Sequence, residues 1–401
     1  MSSTTIAVCS IMRNETSWAP GLLDNAQALG DEVHVVDTGS SDGTPALCRA
    51  AGAIVHEYPT DNMAEARNFA FTLPSTEWVL MLDADERISR CDLLRLRDAL
   101  SEESPDCYSL PIHNYVGGGA WATVYSPRLL RRRARVCWEG AFHETLLNNI
   151  ARQGLSMEDL PIPIRHLEYL TPAKLQAKRL RNIQRMKPLI DDRESDVQPV
   201  ALTLGALDVF AVGETSVAVG MFEEAAQQAP RSFLCNWLLA RALLSVDRVS
   251  EAEAVLSGLL TSATVPRDRA LVTVALADVA DRQGSPDLAF EQISEVTDEV
   301  YQPANLLNSA ALCFKRGDPT GAEELIRASF ECDPVNFAPI LWGPRAEYSS
   351  YTLQTAQIAA FTDLVASGFF RSVVRSLVPP RTARGLNESL DPGLSIDESA
   401  R

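Results

Sequence analysis

The chain has 401 residues, 46% apolar and 22% charged, the composition of an ordinary globular protein, which excludes wholesale disorder. Its 36 Lys and Arg stand against 53 Asp and Glu, and the net charge of −17 argues against a nucleic-acid binder, which needs a net basic face to displace phosphate counterions. At roughly 100–200 residues per domain, this length predicts two domains or three.

The start carries no positive n-region, and its short apolar run is followed at once by Arg13, Asn14 and Glu15. No stretch of about 18 apolar residues occurs, so no transmembrane segment is expected. The eight cysteines are scattered without a C-x-x-C pair, which suits reduced thiols better than a disulfide frame or zinc cage. A cytoplasmic protein is the resulting expectation.

The first 60 residues alternate strand and helix patterns. Strand-like runs at Thr5–Ile11, Glu32–Val36 and Ala53–Tyr58 enclose helical spacing at Trp18–Leu29 and Thr44–Ala51. Glu77–Leu82 (EWVLML) is a fourth strand, apolar as a strand covered on both faces should be. Such alternation builds a mostly parallel α/β sheet with ligands at the carboxyl ends of its strands.

Two strand ends carry chemistry. In Val35-Val36-Asp37-Thr38-Gly39-Ser40-Ser41-Asp42-Gly43-Thr44 a buried strand ends in Asp37 and turns into a helix. A carboxylate at that edge can accept the imide N–H of a pyrimidine, whereas Asp42 reads as a helix cap. Leu82-Asp83-Ala84-Asp85-Glu86 sets three carboxylates after an apolar strand, and strand alternation would put Asp83 and Asp85 on one side. Unpaired they repel; a divalent cation bridging to a diphosphate removes that penalty. The plainer alternative is an acidic loop capping the next helix. Several other chemistries have no residues to carry them. G-x-G-x-x-G after the first strand, Walker A and G-x-S-x-G are all missing, and His143-Glu144 lacks the second His of a zincin.

Taken together and in order, IMRNE at 11–15, VVDTGSSDGT at 35–44, ARN at 66–68, LDADE at 82–86, LRR at 130–132 and WEGAFHE at 138–144 resemble family 2 glycosyltransferases of the GT-A fold over roughly residues 4–170. The resemblance implies a Rossmann-like nucleotide-diphospho-sugar transferase domain. It implies that Asp37 holds the base, with Asn14, Glu15 and Arg67 on the nucleotide side, and that Asp83 lies near the ribose. Asp85 and His166 would hold the metal, Mg or Mn, and Glu144 falls where inverting members carry the catalytic base. Glu139 is a rival base. Arg128 is the one member of the run Arg128, Arg131, Arg132, Arg133 and Arg135 assigned to the diphosphate, because consecutive side chains on a strand point to both faces. Gly117-Gly118-Gly119 and Trp121 would form a flexible acceptor-side loop with a stacking surface, or a plain hairpin loop.

After about residue 170 the pattern is helical and repeats. Ala206, Ala240, Ala277 and Ala310 are each followed twelve residues on by Ala218, Ala252, Ala289 and Ala322, then four further by Phe222, Leu256, Ile293 and Ile326. Gly213, Gly284 and Gly317 fall at the same turn, and Pro230 and Pro334 close their units. Small residues where two helices touch and a bulky residue one turn on suit stacked helix hairpins, and the array resembles tetratricopeptide (TPR) repeats. The expected organisation is a GT-A domain at 1–170, a basic linker helix at 171–198, TPR-like all-α repeats at 199–378 and a disordered tail at 379–401.

The function these readings imply is a metal-dependent inverting transfer of a sugar from a nucleotide-diphosphate donor, a UDP-sugar first. The acceptor would be a hydroxyl or thiol of a peptide, saccharide or natural product. The repeats would dock that acceptor or form a homodimer. Two rival readings stay open: a repeat scaffold with an inactive GT-A domain, and a sugar-phosphate nucleotidyltransferase.

Overall fold

The computed structural model describes residues 4–101, 103–140, 144–192 and 198–390, which divide into an α/β unit and a helical unit. In the first, β1 (Ile6–Met12), α1 (Ala19–Leu29), β2 (Glu32–Asp37), α2 (Thr44–Ala50), β3 (Ile54–Glu57), α3 (Met63–Thr72) and β4 (Trp78–Met81) alternate. The four strands are parallel in the order β3-β2-β1-β4. Every residue of β4 is buried, as its unbroken apolar run requires, while β3 at the sheet edge is partly exposed.

β5 (Glu86–Arg87), α4 (Arg90–Asp98), β6 (Cys107–Gly117), β7 (Ala120–Arg131), α5 (Leu147–Gln153), β8 (Met157–Asp159) and β9 (Ile164–His166) follow. They extend the sheet as β4-β7-β6-β9-β5, with β7 antiparallel to β4, β9 antiparallel to β5, and β8 parallel to β6. Chain connections leave β1 toward β2 on one side and return to β4 on the other. The carboxyl end of β1 is therefore a topological switch point, where such sheets open a crevice.

The second unit comprises the tip of the β6–β7 hairpin, Asn114–Thr123, and Glu168–Leu386. The helix α6 (Pro172–Asp191) leads into four helix hairpins: α7 (Gln198–Ala211) with α8 (Thr215–Gln228), α9 (Phe233–Ser245) with α10 (Val249–Ser262), α11 (Pro266–Arg282) with α12 (Pro286–Ser294), and α13 (Gln302–Lys315) with α14 (Pro319–Cys332). α15 (Ala359–Ala366), α16 (Gly368–Leu377) and the first part of α17 (Pro380–Leu390), up to Leu386, complete it. All eight alanines of the repeat pattern are fully buried, and so, to within 2%, are Phe222, Leu256, Ile293 and Ile326. Gly213, Gly284 and Gly317 each take positive φ (92°, 83° and 80°) at the turn inside their hairpins. The expected α/β sheet followed by TPR-like helices is the observed fold class.

Three expectations change. Residues 380–390, expected within a disordered tail, form α17, because Ala383, Leu386 and Leu390 recur at helical spacing with Leu390 buried; residues 391–401 lie outside the described residues. α6 belongs to the helical unit instead of linking two domains, and its Arg179 is buried between Glu168 and Asp208, 3.2 and 2.8 Å away. Gly117, Gly118 and Gly119 are no loose acceptor loop. All three have positive φ, a Cβ on Gly119 would meet the Trp342 ring, and Trp121 is 1% exposed. A ring so enclosed cannot stack on a sugar.

Among the described residues no helix is long and apolar enough to cross a membrane.

Candidate active site

Three turns converge at the carboxyl ends of β1, β2 and β4. Parallel pairing sets Met12 opposite Asp37, and the turns beyond them are zipped together. Asn14, in the left-handed region at φ 58°, accepts the Ser41 amide on Oδ1 at 2.8 Å and donates its own amide to Ser40 Oγ at 2.9 Å. The Glu15 amide donates to Thr44 Oγ1 at 2.8 Å. Asp37 is 5% exposed and accepts the amides of Gly39 and Ser40 at 3.3 and 3.1 Å, so its carboxylate is fixed at the carboxyl end of β2. Asp42 accepts the Thr44 amide at 2.9 Å and caps the first turn of α2, as expected.

Beyond β4 the chain turns, and this changes the geometry expected of the two aspartates. The Glu86 amide donates to Asp83 O at 3.0 Å, while the Asp83 amide donates to the Glu86 carboxylate at 2.8 Å. A turn of this kind ends strand alternation, so Asp83 and Asp85 take different partners. Asp83 accepts from Arg67 Nη2 on both carboxylate oxygens, at 2.9 and 3.1 Å, with Arg128 at 3.5 Å. The Asp85 carboxylate lies 3.4 Å from His166 Nε2. β9 makes that meeting possible across 81 positions of sequence: it pairs Glu86 with His166, and the Leu167 amide donates to Asp85 O at 2.9 Å.

α3 supplies the link to the last motif. Arg67 lies on its buried face, and Nε donates to Glu144 at 2.9 Å while Nη2 holds Asp83. One guanidinium thereby joins the residue expected near the ribose to the residue expected as base. The neighbouring Asn68 clamps the backbone of Trp138, accepting its amide at 2.8 Å and donating to its carbonyl at 3.0 Å. Pattern reading carried over Arg67 from the ARN motif and left out Asn68 and Glu86; both stood inside the quoted motifs. Glu139, the rival base, pairs with Arg152 and forms a β-bridge with Thr145. His143 lies outside the described residues.

Burial works against charge here, and the pairs decide the outcome. Burial alone would push the Asp83 carboxyl up, but Arg67 and Arg128 outweigh it and hold it well below the usual carboxylate range. Glu86, 1% exposed, goes the other way: burial raises its carboxyl and Arg128 at 2.7 Å offsets this only in part. Arg67 is held even more firmly protonated, since Asp83 and Glu144 overcome its own desolvation. Elsewhere in the arginine run, Arg131 pairs with Glu77 at 2.6 Å and stacks on Trp78, away from this site.

Asp85 and His166 offer one carboxylate and one imidazole nitrogen at close range, and no group of three or more His, Cys, Asp or Glu able to hold a metal forms among the described residues. That donor set fits a divalent cation that takes its remaining ligands from outside these two side chains.

The sequence model of glycosyl transferase family 2 matches residues 7–158. A TPR repeat-containing protein of Synechococcus elongatus is 31% identical over 140 residues, covering 35% of this chain and 34% of that protein. An uncharacterized glycosyltransferase of Rickettsia conorii is 34% identical over 85 residues, 21% of this chain and 30% of its own length. The chain thus spans about a third of the length of these curated relatives. Among solved structures, glucosyl-3-phosphoglycerate synthase from Mycobacterium tuberculosis, in complex with Mn2+, UDP and glucosyl-3-phosphoglycerate, aligns at a TM-score of 0.32 and 17% identity over 44% of this chain and 78% of that one; a likeness at that level carries no weight for function. The matched stretch includes β1, β2 and β4 and the turns that hold Asp37, Asp83, Asp85 and Glu144, and over it this chain is similar to glycosyl transferase family 2.

Proposed function

We propose that the protein is a metal-dependent, inverting glycosyltransferase that uses a nucleotide-diphosphate sugar, a UDP-sugar first. One observation carries the reading: the Asp83–Arg67–Glu144 bridge beside the Asp85–His166 pair joins, at the strand ends, residues drawn from four separate parts of the chain. A structural salt-bridge cluster has no need of a carboxylate–imidazole pair at its edge.

In this reading Asp37 accepts the imide N–H of the pyrimidine, Asn14 and Glu15 frame the nucleotide, and Asp83 orients the ribose. Arg128, already paired with Glu86 and Asp83, lies on the diphosphate side. Asp85 and His166 would hold a Mg or Mn ion, which when bound would supply Lewis-acid chemistry at the diphosphate. An acceptor oxygen or sulfur forms its bond to the anomeric carbon as the bond to the diphosphate oxygen breaks, and the acceptor proton passes to Glu144. With one oxygen committed to Arg67, Glu144 takes that proton on the other. A single displacement with one base inverts the anomeric centre.

The test is donor turnover. Purified full-length protein with Mn2+ and each of several UDP-sugars should release UDP slowly, with water standing in for the acceptor. Glu144→Gln should lower that rate by about 100-fold or more while UDP binding persists. Unchanged turnover in the variant would remove Glu144 as base, and release of pyrophosphate in place of UDP would turn the reading to a nucleotidyltransferase.

A further inference from the structure

Within the helical unit, the first helices of three successive hairpins each direct one polar side chain onto the same stretch of chain, Leu353–Ala359. From α9, Arg241 donates Nε to the Leu353 carbonyl at 2.8 Å and Nη2 to that of Thr355 at 3.2 Å. From α13, the fully buried Asn308 donates Nδ2 to the Ala356 carbonyl at 2.9 Å and accepts the Ile358 amide on Oδ1 at 3.1 Å. From α11, Asp278 accepts the amide of Ala359 at 2.8 Å, capping α15, which has no side-chain cap from its own N-cap residue Ile358. Arg241 and Asp278 each follow a repeat anchor, Ala240 and Ala277, by one position. Asn308 lies one turn before the equivalent place in its own helix.

The other side of the segment is covered by the hairpin tip. Thr355 bridges antiparallel to Ala122, the Ala356 amide donates to Trp121 O at 3.1 Å, and Gln357 accepts the Trp121 amide at 3.2 Å. Thr355, Ala356, Gln357 and Ile358 are all buried, none more than 5% exposed.

All five hydrogen bonds from the helices go to backbone carbonyls and amides. A row of side chains on successive repeats that reads backbone is a groove for a polypeptide main chain, whatever its side chains. We infer that the face formed by α9, α11 and α13 is a peptide-backbone groove whose resident occupant is this chain's own segment Leu353–Ala359. An external peptide would compete with an occupant tethered at an effective concentration on the order of millimolar. It would also have to strand the fully buried Asn308 while the exchange took place. The repeats therefore grip their own chain, and an acceptor polypeptide does not lodge in this groove. This holds whether or not the transferase reading does.

Hydrogen exchange on the full-length protein tests it without any substrate. Amides of residues 355–359 should exchange about 1,000-fold or more slowly than in a free synthetic peptide of residues 349–361. Asn308→Ala should speed their exchange by about 10-fold or more while α8 is unaffected; if that variant does not fold, Arg241→Gln, at a partly exposed position, reports in the same way. A fluorescein-labelled 349–361 peptide should show no saturable binding to the wild-type protein. Exchange within about 10-fold of the free peptide, no response to either substitution, or saturable peptide binding would each overturn the proposal.

Discussion

Arg67 is the residue on which the candidate site depends. It is 8% exposed and contacts two carboxylates 61 positions apart, Asp83 and Glu144. Removing Arg67 takes Glu144's partner away and leaves Asp83 with Arg128 alone, so Arg67→Ala should lower stability by about 3 kcal/mol in urea titration. Arg67→Lys keeps the charge but loses the fork, and should fall between that variant and wild type. Both should lose UDP affinity if Asp83 orients the ribose. The sequence pattern placed Arg67 near the nucleotide because the motif order put it there. It could not show the bridge, since which carboxylate a guanidinium meets depends on how α3 packs over β4. The same limit applied to Asp83 and Asp85: their spacing reads as strand alternation, and only the turn closed by the Glu86 side chain separates their partners.

Elements were legible where periodicity was strong. β1, β2, β4, α1 and α2 lie within a residue or two of their sequence signals, and the alanine period located four helix hairpins. One turn departs from its pattern. Where the other three hairpins have glycine, the second has Asp247 at φ 61°, a left-handed conformation that an aspartate tolerates and a branched residue does not. Asp247→Gly should therefore be neutral or stabilising, and Asp247→Val should cost about 1 kcal/mol, both read from thermal unfolding.

β9 offers a test by pH. Its Arg165, 1% exposed, donates to Asp92 on α4 at 3.0 Å, and Ser89 Oγ donates to the same carboxylate at 2.6 Å. Burial would raise the Asp92 carboxyl, but Arg165 and Ser89 outweigh it and hold it below its ordinary value. A depressed carboxyl contributes stability that is present above its unfolded pKa of about 3.9 and is lost as pH falls through the folded value. Wild-type stability should therefore decline below about pH 4, and Asp92→Asn should be less stable at pH 7 with a shallower acid limb. Equal acid limbs would mean that the pair does not fasten β9.

At the scale of the molecule, the succession of an α/β sheet and TPR-like helices could be read from where strands stop and small residues begin to repeat. What the helical face holds could not. Arg241, Asp278 and Asn308 bond to backbone, which has no sequence signature, and Leu353–Ala359 has no period to mark it. The hairpin tip stayed open between an acceptor loop and a plain hairpin loop for a related reason: glycines and a tryptophan allow both until Trp342 and Pro344 are seen against them.

The most direct test of the central claim is the thermal unfolding of full-length wild type and Asp85→Asn with UDP and Mn2+, each with and without chelator. A ligand bound only by the folded state adds about 2.7 kcal/mol at 100 times its dissociation constant, enough to raise Tm by several degrees. The site described here predicts that rise for wild type with UDP and Mn2+ together, its loss with chelator, and its absence in Asp85→Asn. No shift in wild type with UDP and either Mn2+ or Mg2+, or an equal shift in the variant, would contradict it.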